Sequence, residues 1–126
     1  MRHTFRVSVK AAVFNHAKTK IAVIQINDDR FGLPGGHMEQ NETIEQAISR
    51  ELFEECGITK SNLQKSDFFM NKTDRIILAF VGTTDQIDLL SPQNELEGVP
   101  LWVDKNQFTR LNMNPKYKDF VLKNWS

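Results

Sequence analysis

Between Thr43 and Gly57 the apolar residues recur with a helical period, in a chain whose other apolar stretches alternate or form β-branched runs. Ile44, Ala47, Ile48, Leu52 and Cys56 make one apolar arc. Thr43 with Gln46 has the spacing of a capping box, and Gly57 followed by Ile58 is a helix stop with its hydrophobic contact. Upstream, Val7, Val9, Ala11 and Val13 alternate with Ser8, Lys10 and Ala12, the period of a strand with one buried face, a pattern that Phe14 disturbs at its end. Ile21 to Ile26 is β-branched enough for a central strand, reached through a short hairpin connection at 15–20. Strands around one well-marked helix predict layered α/β structure and argue against a helical bundle or an all-β sandwich.

The remaining elements are read more coarsely. Phe31 to Gly36 carries three of the six glycines and one of the four prolines, a density that neither a helix nor a long strand tolerates, so the backbone must turn or approach something closely. Residues 62–69 are extended without a clear period, Ile76 to Val81 is a strong strand, and 85–98 is a polar loop. Leu101 to Val103 forms a last strand, Asp104 caps a short helical turn, and Asn114-Pro115 opens a terminal helix with Tyr117, Phe120, Val121 and Trp125 on its apolar side.

Composition narrows the function classes. The chain has 126 residues, about one domain's worth, and no linker, repeat or low-complexity tract, so residues 1–126 are expected to form a single domain. Sixteen basic residues balance sixteen acidic ones, which removes a global electrostatic case for nucleic acid or an anionic membrane as a stable partner. The lone cysteine, Cys56, cannot form an internal disulfide, no apolar run reaches membrane-spanning length, and charges interrupt the first residues where a signal peptide needs its apolar region. A cytoplasmic location follows as an expectation. The sequence carries no signal of oligomeric state.

The helix is where the chemistry concentrates. Between Glu39 and Glu55 there are six glutamates against one arginine, Arg50. At about 100° per residue, Glu51 and Glu55 fall within about 20° of Ile44, and Glu54 about 80° away, so all three share the apolar side. Like charges at i, i+3 and i+4 beside a buried stripe repel and lose hydration. A hard divalent cation offsets that cost, because Mg²⁺ prefers carboxylate, carbonyl and phosphate oxygens. The competing reading is a solvated helix in which Arg50 pairs with Glu54. Gly35 and Gly36, just upstream, favour the first reading, since they can bring backbone groups close to a metal or phosphate.

Gly36 to Ile58, GHMEQNETIEQAISRELFEECGI, resembles the Nudix box: a glycine, five residues, Glu42, seven residues, Arg50-Glu51-Leu52, Phe53, Glu54-Glu55, Cys56, Gly57 and an aliphatic Ile58. Leu33-Pro34-Gly35 is similar to the family's lead-in. The box covers less than a fifth of the chain, and the strand order is compatible with the family's α/β/α sandwich and its mixed sheet. The resemblance implies hydrolysis of a nucleoside diphosphate linked to a group X, with Mg²⁺ or Mn²⁺. It assigns Glu51, Glu54 and Glu55 as metal-facing carboxylates and the Gly35 carbonyl as a further ligand. Arg50 would orient the glutamates, Glu42 would brace Arg50, and Glu51 is the first choice to accept the proton of the attacking water. Glu97, or Glu95 two residues earlier, resembles the loop glutamate that adds a ligand in triphosphate-cleaving members.

The small-molecule substrate is expected to be a nucleoside triphosphate, including an oxidised purine nucleotide. ADP-ribose, a nucleotide sugar and a dinucleoside polyphosphate are the alternatives, and a non-catalytic nucleotide-binding module is the alternative of a different class. Phe31 beside the glycine loop is a candidate for stacking a base, against a place in the core, and Asn114 for reading one, against a helix cap. Phe80 and Cys56 are assigned to the core. His37 is the histidine nearest the candidate site, touching either phosphate or solvent.

Overall fold

β1 (Arg6–Asn15) runs through the middle of a mixed seven-stranded sheet in the computed structural model, which describes residues 4–71, 74–89 and 98–125. The others are β2 (Lys20–Asn27), β3 (Arg30–Gly32), β4 (Gly35–His37), β5 (Asn62–Asn71), β6 (Arg75–Thr84) and β7 (Val99–Asp104). The helices are α1 (Ile44–Cys56), α2 (Lys105–Arg110) and α3 (Pro115–Asn124). The main path is β3-β2-β1-β6-β5, with β4 paired to β1 and β7 to β2. β1 and β6 are parallel from Arg6↔Arg75 to Asn15↔Thr84, and the other pairings are antiparallel.

Both faces of the sheet are covered, which corrects the expectation of one buried face. Val9, Ala11 and Val13 pack with Ala22, Ile24 and Phe80 under Ala47, Ile48, Leu52 and Cys56 of α1. Ala12 and Phe14 point the other way, with Ile21, Val23, Ile77 and Ala79 under Phe108 of α2 and Tyr117, Phe120 and Val121 of α3. Phe14 is therefore no break in the alternation; it is wholly buried on the second face, edge-on to Trp125. The result is the α/β/α layering expected of the family resemblance. Strands buried on both sides read as near-continuous apolar runs, as 11–14 do.

The ends of α1 are fixed by local chemistry. The Thr43 side chain accepts from the Gln46 N–H, and the Gln46 side chain accepts from the Thr43 N–H, completing a reciprocal cap. Gly57 takes a left-handed conformation (φ 69°) and sends its N–H to Leu52 and Phe53 carbonyls. Burial of Ile48 and Leu52, each contributing roughly 1.5–3 kcal/mol, holds the helix to the sheet.

The sheet splits where the site lies. β1 and β2 are in register at Phe14↔Ile21, but β1 at Ser8 to Lys10 pairs instead with β4, while β2 takes β7 as its neighbour. Gly35 thus lies opposite Lys10, in the stretch read from sequence as turning backbone. Two three-residue strands, β3 and β4, frame that turn, too short to leave a periodic signal.

Candidate active site

α1 delivers Arg50, Glu51, Glu54 and Glu55 from its last two turns to an open cleft of about 460 Å³ that Gly35, Gly36 and His37 line from the sheet side. Glu51 is only 9% exposed, which rules out the fully solvated helix face. The i,i+4 pair of that reading does exist, at 3.2 Å between Arg50 and Glu54, but as one arm of a larger cluster. Arg50 also meets Glu51 at 2.9 Å, and grips Glu42 with two nitrogens, Nε to Oε2 at 2.5 Å and Nη2 to Oε1 at 3.1 Å. A further bond runs to the His37 carbonyl at 3.0 Å.

This fork-on-fork contact raises the pKa of Arg50, the Glu42 hydrogen bond contributing most, and lowers that of Glu42, which the Glu39 N–H also bonds. Glu42 thereby holds the guanidinium, and the guanidinium holds the helix carboxylates.

Glu55 is placed differently. Its Oε1 accepts the Gly35 N–H at 2.7 Å, and its carboxyl lies near enough to that of Glu51 to feel its charge. Burial, with Glu51 alongside, pushes Glu55 up to about 7, against the pull of the Gly35 N–H and of Lys10. Neighbouring carboxyls withdrawn from water are relieved by a proton or by a cation. Gly36 makes the approach possible: a Cβ there would come 2.6 Å from Glu51 Oε1. Gly35, at φ 140°, has its missing Cβ directed at the Val9 carbonyl, so only glycine fits.

Among the described residues no three histidine, cysteine or acidic side chains are gathered closely enough to hold an ion as they stand. Arg50 holds oxygens of Glu51 and Glu54, and Gly35 holds one of Glu55. The donor set nevertheless suits a hard divalent cation, being all oxygen and already crowded enough to retain a proton near neutrality.

Cys56, at the end of the same helix, is fully buried, and desolvation, reinforced by Glu55, pushes its thiol up to about 12; it is core. His37 exposes its ring, with Nδ1 bonded to Ser8 Oγ at 3.0 Å. Phe80 is core, and Phe31 is half-buried against the cluster under α2 and α3. Asn114 caps α3 through the Lys116 N–H and also donates to Asn71 at 3.2 Å. The Phe31 N–H bonds the Asn112 carbonyl, two residues from Asn114, so the two substrate candidates are neighbours along the backbone. Glu95 and Glu97 lie outside the described residues.

Lys10 is what sequence reasoning missed. It occupies an even position in β1, where the alternation assigned a solvent-facing side chain. In the fold its ammonium is buried 3.3 Å from both the Leu33 and Gly35 carbonyls and 5.8 Å from the Tyr117 ring centre, with its pKa lowered by desolvation.

The family model for the NUDIX domain matches residues 4–123. The chain belongs to the NUDIX domain family. The 111R protein of Invertebrate iridescent virus 3 is 32% identical over 108 residues, 82% of this chain and 63% of that protein. The oxidized purine nucleoside triphosphate hydrolase of Danio rerio is 36% identical over 72 residues, 56% of this chain and 42% of that one. The NUDIX chain thus spans less than two thirds of the length of these relatives. Among solved structures, one from a study of MutT from Aliivibrio salmonicida and Vibrio cholerae superposes with a TM-score of 0.79 at 22% identity, covering 95% of this chain and 96% of the other, a likeness of fold. No helix among the described residues is long and apolar enough to cross a membrane.

Proposed function

We propose that this NUDIX chain is a divalent-metal-dependent pyrophosphohydrolase that cleaves a nucleoside triphosphate to the monophosphate and pyrophosphate. The observation that carries the reading is the way the three carboxylates are held at one cleft: Arg50 bonds Glu51 and Glu54, the Gly35 N–H bonds Glu55, and all three line the cleft with Gly35 and Gly36. Glu51, Glu54, Glu55 and the Gly35 carbonyl would hold Mg²⁺ or Mn²⁺, and Glu97 would add a ligand from the loop before β7. Bound there, the metal would neutralise the diphosphate, stabilise the leaving phosphate and make an attacking water more acidic.

The chain's own residues do the rest. Arg50, braced by Glu42, fixes the rotamers of Glu51 and Glu54, so that the carboxylates are positioned before substrate arrives. Glu51, mostly withdrawn from solvent, accepts the proton of the attacking water. Phe31 and Asn114, on segments that the Phe31 N–H to Asn112 carbonyl bond joins, would receive the base. The similarity to the Danio rerio oxidized purine nucleoside triphosphate hydrolase supports a purine triphosphate as the substrate class. All three helix carboxylates are retained, which favours catalysis over a degenerate binding module.

The test is product analysis after incubation with nucleoside triphosphates, dinucleoside polyphosphates, ADP-ribose and nucleotide sugars, with Mg²⁺ or with EDTA. Monophosphate and pyrophosphate should form from a triphosphate only with the metal. Glu54→Gln should lower that turnover at least tenfold to a hundredfold without loss of fold. Turnover close to that of the unaltered chain, with the same metal requirement, would remove Glu54 from the ligand set.

A further inference from the structure

A line of contacts joins the two ends of the proposed site. From the carboxylates it runs through the Gly35 backbone, whose N–H meets Glu55 and whose carbonyl meets Lys10, from Lys10 to the face of Tyr117 in α3, and to the start of the same helix, where Asn114 bonds Asn71. A nucleotide with its diphosphate at Glu51 and Glu55 and its base at Asn114 has to pass over Lys10. The ammonium there is incompletely satisfied. It has three N–H donors, and its two hydrogen bonds, both 3.3 Å, are longer than the ordinary range for a nitrogen–oxygen bond.

Arg75 adds a second, independent sign. In the parallel register of β1 and β6, Lys10 lies opposite Ala79, which puts Arg75, four residues earlier in β6, on the same sheet face. The two cations repel each other, and Arg75 also lies near enough to Tyr117 and His37 to affect their charge. Arg75 Nε is buried with no hydrogen-bond partner among the described residues. Buried donors are paired in native proteins almost without exception, so an unused one on the same sheet face as an under-coordinated ammonium calls for an anion.

We propose that Lys10, with Arg75 behind it, forms a phosphate-recognition subsite for the phosphate nearest the nucleoside. The subsite lies on the sheet face opposite α1, where Lys10 faces Tyr117 of α3. It deepens the nucleotide reading above and rests on it. Lys10 distinguishes substrates by that phosphate's charge and holds the nucleotide in line with the carboxylates.

Binding measured without turnover tests this. The probes are AMP and GMP in EDTA, the α,β-methylene analogues of ATP and GTP with Mg²⁺, and adenosine and guanosine, each titrated by calorimetry or by amide chemical shifts. Lys10→Met should weaken the phosphorylated probes about tenfold or more, the worth of one charge-assisted hydrogen bond, and leave the nucleosides within about twofold. Arg75→Gln should weaken the same probes, by a smaller factor. In steady-state kinetics KM should rise more than kcat falls. Phosphorylated probes held as tightly by Lys10→Met as by the unaltered protein, or a loss shared equally by the nucleosides, would overturn the subsite. Should Lys10→Met not fold, Lys10→Gln carries the same comparison. An unaltered protein that binds none of the nucleotides refutes the nucleotide reading itself, a result distinct from intact binding that ignores Lys10.

Discussion

Desolvation of Glu55, with Glu51 alongside, sets a measurable proton balance. Without metal, Glu55 keeps its proton up to about pH 7, whereas the unfolded chain releases it around 4.5. Between those values the folded state binds the extra proton, so this group stabilises the fold fully at the acid end and the contribution is lost as pH rises through about 7. Urea unfolding in EDTA should therefore show the unaltered protein losing about 1–3 kcal/mol between about pH 5.5 and about pH 8 relative to Glu55→Gln. Parallel pH profiles would show that the fold does not hold Glu55 protonated. The carboxylates were readable in the sequence because their helical spacing placed them on the apolar side. Lys10 was not, since a lysine at an alternating position looks the same whether its face meets water or, as here, two carbonyls and a tyrosine ring.

At the scale of elements, α1 is a rigid carrier whose ends are set by a few residues. Thr43→Ala removes the acceptor for the Gln46 N–H and should cost about 1 kcal/mol in urea unfolding. Gly57→Val forces a β-branched residue into φ 69° and should cost more, roughly 1–3 kcal/mol. Equal and negligible losses would mean that these residues do not bound the helix. Both caps were legible because capping chemistry is local in sequence. So were the caps of the later helices, where Asp104 with Gln107 and Asn114 ahead of Pro115 act as their residue types predict. β5 was less legible because it is an edge strand with mostly exposed side chains, so no apolar alternation marks it. β4 left no trace, since three residues that include two glycines become a strand only through pairing with Ser8 to Lys10.

Across the whole molecule, the split between β1 and β2 brings the far-apart pieces together. It seats β4 beside β1, turns Gly35 toward α1, and leaves Lys10 on the opposite face facing α3. The helix carboxylates share one cleft with Gly35, Gly36 and His37, while Cys56 and Ser8, the latter bonded to the His37 ring, are both buried and closed to a substrate phosphate. In the proposed reaction water attacks phosphorus directly, without a covalent enzyme intermediate. The most direct measurement is turnover of a nucleoside triphosphate in ¹⁸O-labelled water with Mg²⁺, followed by mass analysis of the products. The account predicts label in the monophosphate or the pyrophosphate after one turnover, and no such products in EDTA. Label in a sugar hydroxyl, free base among the products, or equal turnover with the metal removed would contradict it.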